Sequence, residues 1–281
     1  LWAFSFSLIG VYLAGQVDAW FSVLIRIALA TLVFLPFLKF RTTPKPLALK
    51  LMLIGAIQLG VMYSFYYHSF LYLSVPEVLL FTVITPIYIT LLNDALEKHF
   101  NPRFFVIAII AVCGALAIRY ESINSDFLIG LLLVQGANMC FATGQVTYKR
   151  LMINTQLDHK NVFGWFFIGA LMVATVCYVL FGNTEKLPST PTQWGVLIYL
   201  GIVASGLGYF GWNKGATLVN VGALAAMNNL LIPAGIVVNV LIWNTEADIL
   251  RLSIGAGIIL AALLLNQINT IPSREKTLPV G

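Results

Sequence analysis

Long apolar stretches separated by short polar segments run along the whole chain. Most of the stretches have the roughly 17–25 apolar residues that cross a bilayer as a helix, and Asp, Glu, Asn, Pro and Lys mark the gaps between them. The first stretch is short for a crossing, so we expect its helix to begin upstream of Leu1. The pattern predicts ten helices, over residues 1–15, 19–39, 49–73, 77–95, 103–120, 127–149, 160–181, 193–214, 222–243 and 249–268.

The composition assigns these helices to a membrane. Only 10% of the 281 residues are charged and 59% are hydrophobic, whereas about a quarter of the residues in a soluble domain are charged. We therefore predict an all-α polytopic membrane protein. The net charge of +5 does not indicate a nucleic-acid partner, because most basic residues lie in short loops. Cys113, Cys140 and Cys177 lie in apolar segments and lack the spacing of metal ligands or of a disulfide framework.

The distribution of lysine and arginine predicts the orientation. Arg119, Lys186 and Arg251 lie on one side of the predicted helices, and Arg26 lies within the second helix. Because basic residues are enriched in cytoplasmic loops, we expect both termini in the cytoplasm. The other 12 of the 16 basic residues lie on the opposite side, which this rule assigns to the cytoplasm: Lys39, Arg41, Lys45, Lys50, Lys98, Arg103, Lys149, Arg150, Lys160, Lys214, Arg274 and Lys276.

The two halves of the chain share a weak internal repeat. Residues 63–68 lead into a helix that contains Pro86, and residues 209–214, which lie 146 positions later, lead into a helix that contains Pro233. Chance similarity of apolar helices is the alternative, and the shared position of the proline disfavours it. Five helices per half would invert the second copy, as in many secondary transporters. We therefore predict two inverted five-helix repeats, over 1–124 and 125–268, followed by a polar cytoplasmic tail over 269–281.

Polar side chains recur inside the predicted helices, where they are costly unless they face the bundle interior. Such residues can serve as simple interhelical hydrogen bonds. Because amides and aromatic rings occur in both halves, the pattern favours a central cavity lined mainly by predicted helices 1, 3, 4, 6, 8 and 9. The candidate substrate-binding residues on these helices are Trp2, Ser5, Tyr63, Tyr67, His68, Thr82, Gln135, Asn138, Tyr209, Asn213, Asn228 and Asn229.

Other candidates each allow two interpretations. Arg26 fits an anion site or a structural partner for backbone carbonyls, and Arg119 fits an interfacial anchor or an anion-attracting mouth. His68 and Lys214 occupy equivalent positions in the repeat and fit either interfacial snorkelling or contact with the substrate. Trp165 belongs to an aromatic cluster that is most simply packing, although one of its rings could cover a ligand.

Motifs of membrane enzymes are absent from the sequence. It has no HExxH, GxSxG or P-loop motif and no paired acidic motif of a prenyltransferase. We therefore expect no enzymatic activity, no cofactor and no metal. The expected partners are a small-molecule substrate and the lipid bilayer, and we infer no obligate protein partner.

Short motifs resemble the EamA branch of the drug/metabolite transporter superfamily. Residues 2–6, with the sequence WAFSF, resemble its opening-helix signature, although Ala3 stands where glycine is usual. Residues 24–28, with the sequence LIRIA, resemble its arginine motif in the second helix, and Pro86 and Pro233 match prolines of its fourth and ninth helices. The resemblance covers the whole chain and implies a secondary transporter.

A longer, distributed similarity points to the YigM-type biotin transporters of gammaproteobacteria. The residues that carry it are 58–63, 80–86, 131–135, 148–152, 227–229 and 233–235. This resemblance implies uptake of biotin across the bacterial inner membrane by alternating access. An exporter of amino acids or other small metabolites on the same fold is the first alternative, and a membrane scaffold without transport activity is the second.

The carboxylate of biotin would need a counter-charge on its way across the membrane, because an isolated ion in the bilayer interior is costly. The predicted helices contain no row of acidic residues that could relay protons, so we expect fixed cations and weak or absent ion coupling. Arg119, at the outer mouth, is the first candidate and Arg26 is the second. Lys214, near the cytoplasmic face, would serve release.

Overall fold

The computed structural model describes residues 1–98, 125–153 and 155–219, with isolated positions between 224 and 261. All regular secondary structure in this part of the chain is helical, and α2 to α7 are each long and apolar enough to cross a membrane. The helices are α1 (Trp2–Tyr12), α2 (Ala19–Phe37), α3 (Lys45–Ser69), α4 (Val75–Leu96), α5 (Ser125–Met152), α6 (His159–Phe181) and α7 (Pro191–Ala216).

Ten helices stay a prediction, because three of them fall largely outside the described residues. The predicted helices over 103–120, 222–243 and 249–268 and the tail over 269–281 lie there. The seven observed helices correspond to the other seven predicted ones, so the hydrophobic pattern located each of them.

The predicted bounds of the third helix are wrong at both ends. The helix begins at Lys45 and not at 49, because Pro46 occupies its first turn, where a missing N–H costs no hydrogen bond. It ends at Ser69 and not at 73, because Phe70 and Leu73 are buried in a turn and not in a helix. Buried apolar turn residues have the same hydropathy as helical ones.

Side-chain caps fix where several helices begin. Asp18 accepts a hydrogen bond of 2.7 Å from the Phe21 N–H at the start of α2. A capping box joins Ser74 and Glu77 at the start of α4, and a second one joins Thr190 and Gln193 at the start of α7. These caps satisfy N–H groups that the first turn of a helix leaves free.

Helices α3 and α6 are in backbone contact. A Cβ atom on Gly55 would lie 1.8 Å from the Phe166 carbonyl oxygen, and one on Gly169 would lie 1.9 Å from the Met52 carbonyl oxygen. Small residues at membrane helix interfaces permit such close approach. The two glycines therefore place α3 in the middle of the bundle, with α6 on one side and α5 on the other.

A cluster of phenylalanine rings joins α2, α6 and α7. The Phe34 ring lies 5.6 Å from the Phe163 ring, 5.4 Å from the Phe167 ring and 5.0 Å from the Phe210 ring. The Phe163 and Phe166 rings are stacked at 4.8 Å. Aromatic pairs at these distances add about 0.5–1.5 kcal/mol each beyond their buried area. The cluster holds α2 against α6 and α7.

Two helices contain π-helical segments and one contains a 3₁₀ break. The π segments are Ala56–Val61 in α3 and Tyr199–Leu207 in α7, and the 3₁₀ segment is Thr82–Ile84 in α4. Such departures from α-helical geometry change which backbone carbonyls are bonded within the helix. All three segments adjoin the cavity described below.

Substitution of Gly169 by alanine should lower the melting temperature of the purified protein in detergent. Even one methyl group meets the Met52 carbonyl oxygen, and overpacking costs about 1–3 kcal/mol. Gly195→Ala is the control, because nothing lies within 4 Å of a Cβ there. The control should leave the melting temperature unchanged or raise it, since alanine is the better helix former. Equal melting temperatures for the two variants would contradict the close packing of α3 and α6.

Candidate functional site

A central cavity lies between α1, α2, α3, α4, α5 and α7. The open space bordered by these helices measures about 650 Å³, including the part that is continuous with solvent. Aromatic rings make up much of its wall, with a few polar groups and one cation. The lining residues are Trp2, Ser5, Phe6, Arg26, Met62, Tyr63, Tyr66, Thr82, Thr85, Ala137, Asn138, Phe141, Tyr209 and Asn228.

One wall of the cavity is aromatic. The Trp2 ring lies 5.0 Å from the Tyr209 ring and 6.1 Å from the Phe141 ring, the latter at right angles. The indole N–H of Trp2 donates a hydrogen bond of 2.7 Å to the Ala204 carbonyl, which belongs to the π segment of α7. The bond fixes the orientation of the indole, so the wall offers preformed apolar faces to a ligand.

Arg26 brings a positive charge to the cavity. The side chain is 2% exposed and belongs to α2, and its guanidinium lies 4.2 Å from the Tyr63 ring centroid. Its Nε donates to the Ser205 hydroxyl at 2.5 Å, and its Nη1 donates to the Tyr67 hydroxyl at 3.3 Å. These contacts hold one arginine between α2, α3 and α7.

An amide of α5 bonds to a backbone carbonyl beside the break in α4. The Thr85 N–H donates to the Thr82 carbonyl, three residues back, instead of to the Phe81 carbonyl four residues back. The Asn138 amide of α5 donates to the Phe81 carbonyl at 2.9 Å, and the Gln135 amide approaches the same oxygen at 3.5 Å. Asn138 is therefore part of the interface between α4 and α5.

Two amides that line the cavity keep their carbonyl oxygens available. The Nδ2 atom of Asn138 donates to the Phe81 carbonyl and, at 3.2 Å, to the Gln135 side-chain oxygen. The Nδ2 atom of Asn228 donates at 2.9 Å to the Leu224 carbonyl, one turn earlier in its own helix. Neither Oδ1 atom accepts a hydrogen bond from a described residue. The cavity therefore presents two amide acceptors.

A second cavity lies beyond Tyr67. It is lined by the turn between α1 and α2, by the end of α3 and by Lys186 of the loop after α6. Tyr67 is one of its walls and is also the acceptor for Arg26 of the central cavity. His68 lines it too, with its ring 4.4 Å from the Trp20 ring. The Tyr67–Arg26 contact thus lies between the two cavities.

A polar contact between α3 and α7 lies on the other side of the central cavity. The Gln58 amide donates to the Asn213 side-chain oxygen at 3.2 Å, and the Asn213 amide donates to the Tyr209 carbonyl at 3.2 Å. Gln58 precedes Tyr63 in α3 by about one and a half turns, whereas Tyr67 follows it by about one turn. The Gln58–Asn213 and Tyr67–Arg26 contacts therefore flank the central cavity along α3.

The structure brings only part of the predicted site together. Trp2, Ser5, Tyr63, Thr82, Tyr209, Asn138 and Asn228 line the central cavity, as does Arg26. Tyr67 and His68 line the second cavity. Arg119 and Asn229 lie outside the described residues. Roles in binding stay predictions for all of these residues.

Four predicted residues lie elsewhere for identifiable reasons. Trp165 packs with its ring 5.2 Å from Phe40 of the loop after α2. Lys214 is exposed near the end of α7, 5.9 Å from the Phe210 ring. The amides of Gln135 and Asn213 bond to neighbouring protein groups. None of these four side chains lines the central cavity.

Several apolar lining residues were not predicted, because polar side chains stand out inside apolar helices and apolar ones do not. Phe6 follows Trp2 by four positions, Phe141 follows Asn138 by three, and Met62 precedes Tyr63. Residues three or four apart share a helical face. Extending each polar face by one turn would have identified Phe6 and Phe141.

Comparison with known proteins shows what the chain is similar to. The sequence profile of the EamA-like transporter family matches residues 1–120 and 128–267. The chain is 50% identical to the "Probable biotin transporter" of Pseudomonas aeruginosa over 95% of this chain and 94% of that protein. It is 49% and 48% identical to the "Biotin transporter" of Salmonella typhimurium and of Escherichia coli K12, over 99% of this chain and 93% of each relative.

A solved structure with distant sequence has the same fold. That crystal structure superimposes with a TM-score of 0.66 at 16% identity, over 94% of this chain and 95% of the other.

Two asparagine substitutions should differ in their effect on stability. Asn138→Leu removes the hydrogen bond that joins α5 to the Phe81 carbonyl of α4, and the loss of a typical hydrogen bond costs about 0.5–1.5 kcal/mol. Asn228→Leu removes a bond within one helix and should cost less. The measurement is the free energy of unfolding in mixed micelles. A larger loss for Asn228→Leu would contradict the structural role assigned to Asn138.

Proposed function

The chain belongs to the EamA-like transporter family, and from that premise we propose that it takes up biotin across the bacterial inner membrane. It is a multi-pass membrane protein of a transporter family and not an enzyme. Support for biotin comes from relatives that are about half identical over nearly the full chain and are named biotin transporters.

The two free amide acceptors carry the proposal at the level of chemistry. The ureido ring of biotin has two N–H donors, and the Oδ1 atoms of Asn138 and Asn228 lack donors among the described residues while lining one cavity. Buried donors and acceptors need partners. In the proposed complex, the ureido N–H groups donate to these oxygens.

The rest of the cavity suits the apolar part of biotin. The fused rings and the thioether have flat apolar faces, and the wall of Trp2, Phe141 and Tyr209 offers aromatic faces in fixed orientations. Sulfur–aromatic contacts are worth about 0.3–1.5 kcal/mol. The Tyr66 hydroxyl bonds to no described residue, so it can donate to the ureido carbonyl.

Among the alternatives, an amino-acid exporter fits less well. An α-ammonium group would need an acidic partner, and no aspartate or glutamate lines the cavity in the described part of the chain. A scaffold without transport activity would leave the Asn138 and Asn228 acceptors without a function.

We propose ten helices in two inverted repeats, with both termini in the cytoplasm. The repeat gains support from the π segments of α3 and α7, which end at Val61 and Leu207, 146 positions apart. The same offset separates Tyr63 from Tyr209, and both line the cavity. Unusual helical geometry at equivalent positions is expected of a duplicated unit.

Two contacts at equivalent positions support a mechanism of alternating access. Tyr67 and Asn213 are also 146 positions apart, and each bonds to a polar partner on another helix, Arg26 and Gln58 respectively. The Tyr67–Arg26 contact separates the central cavity from the second cavity. The Gln58–Asn213 contact lies on the opposite side of the central cavity. In this proposal, the two contacts open alternately and expose the substrate first to one face and then to the other.

Uptake of radiolabelled biotin tests the function directly. Cells that lack their own biotin transporter should accumulate biotin when they express this chain, and excess unlabelled amino acids should not compete. An uncoupler should have little effect, since no acidic residue lines the described cavity to carry protons. Asn228→Leu should reach the membrane and transport poorly, whereas Asn161→Leu, the same change outside the cavity, should transport normally. Absence of uptake by correctly inserted protein would refute the proposal.

Counterflow in proteoliposomes tests alternating access. Vesicles preloaded with unlabelled biotin should transiently accumulate labelled biotin above its outside concentration, because a carrier exchanges one substrate for another. Protein-free vesicles provide the background, and Asn228→Leu provides the inactive control. Rapid equilibration without an overshoot would indicate a channel and contradict the alternating contacts.

A further inference from the structure

Arg26 is a buried cation without a carboxylate partner among the described residues. The ion pairs found there join Arg150 to Glu97 and Lys160 to Asp158, both at the surface. An uncompensated charge in the interior of a membrane protein is strongly disfavoured. The Tyr63 ring offsets part of this cost through a cation–π contact. A full counter-charge has to come from elsewhere.

The guanidinium has unused donors in a suitable arrangement. Of its five N–H groups, one on Nε donates to Ser205 and one on Nη1 donates to Tyr67. The other Nη1 hydrogen and both Nη2 hydrogens have no acceptor among the described residues. Because Nε is occupied, a carboxylate would bind through the remaining hydrogens of Nη1 and Nη2. Arginine recognises carboxylates in this bidentate way.

Ser205 and Tyr67 fix the orientation of the guanidinium. The Ser205 hydroxyl is itself bonded to the Tyr63 hydroxyl at 2.8 Å, so groups from α3 and α7 hold the side chain of an α2 residue. A guanidinium held in this way loses little further freedom when it binds a ligand, and preorganisation of this kind increases affinity.

We propose that Arg26 is the carboxylate site of the central cavity and makes it selective for organic acids in their anionic form. The inference rests on the proposed function and adds the orientation of the substrate: the valerate end lies toward α2 and the ureido end toward Asn138 and Asn228. Arg26 thereby becomes the first candidate for the counter-charge that the sequence assigned first to Arg119. Lys214 does not line this cavity.

Binding of biotin and of biotin amide to purified protein tests the site. The amide lacks the negative charge but keeps both rings. Wild-type protein should bind biotin at least about 10-fold more tightly than the amide. Arg26→Gln should weaken biotin binding by about 10- to 100-fold, as expected for the loss of charged hydrogen bonds, and should change amide binding by less than about threefold.

Two further variants separate this role from a structural one. Arg26→Lys keeps the charge without the bidentate geometry and should retain part of the preference for the acid. Arg150→Gln removes a surface arginine that bonds to Asn93 and Glu97 and should bind both ligands normally. If Arg26→Gln fails to fold, the test rests on how strongly wild-type protein and Arg26→Lys each prefer biotin to biotin amide.

Equal losses for biotin and its amide in Arg26→Gln would overturn the proposal, since the arginine would then only clamp α2, α3 and α7. A wild-type protein without preference for the acid would overturn it too. If wild-type protein binds neither ligand, the biotin proposal fails instead. In that case, Arg26 is tested with other monocarboxylic acids, each compared with its own amide. If wild-type protein prefers an acid to its amide and Arg26→Gln does not, the carboxylate site is supported. If wild-type protein prefers no acid to its amide, the site is refuted.

Discussion

The contact of Arg26 with Ser205, Tyr67 and Tyr63 organises the centre of the bundle. A guanidinium in a membrane helix is stable only if its donors and its charge find partners, because hydrocarbon supplies neither. Two donors are satisfied by hydroxyls of α3 and α7, which brings these helices to the same point. The charge faces the cavity that the helices enclose. In our proposal, burial of this one cation links helix packing to the recognition of an anion.

Irregular helices supply the remaining polar groups of the cavity. The Phe81 carbonyl beside the 3₁₀ break in α4 accepts a bond from Asn138, and the π segment of α7 carries both the Ala204 carbonyl, which binds Trp2, and Ser205, which binds Arg26. Regular α-helices would keep such carbonyls within their own ladders. Both irregularities therefore hold a side chain of a neighbouring helix in place at the wall of the cavity.

Much of the fold could be predicted from the sequence, because a bilayer imposes one length and one composition on every crossing. The end of α3 could not, since Phe70 and Leu73 are as apolar in a turn as they would be in a helix. The cavity was predicted from the helical spacing of polar residues such as Asn138. The role of Arg26 was left open, because its partner Ser205 is 179 positions away and no local pattern links them. Trp165 packs on Phe40 and does not line the central cavity, a placement that spacing alone could not distinguish from contact with a ligand.

An experimental structure of the protein with biotin bound is the most direct measurement. We expect the biotin carboxylate within hydrogen-bonding distance of Nη1 and Nη2 of Arg26, and the ureido nitrogens within hydrogen-bonding distance of the Oδ1 atoms of Asn138 and Asn228. Biotin in the second cavity, or in the central cavity with its carboxylate on another cation, would contradict the assignment of Arg26 as the counter-charge.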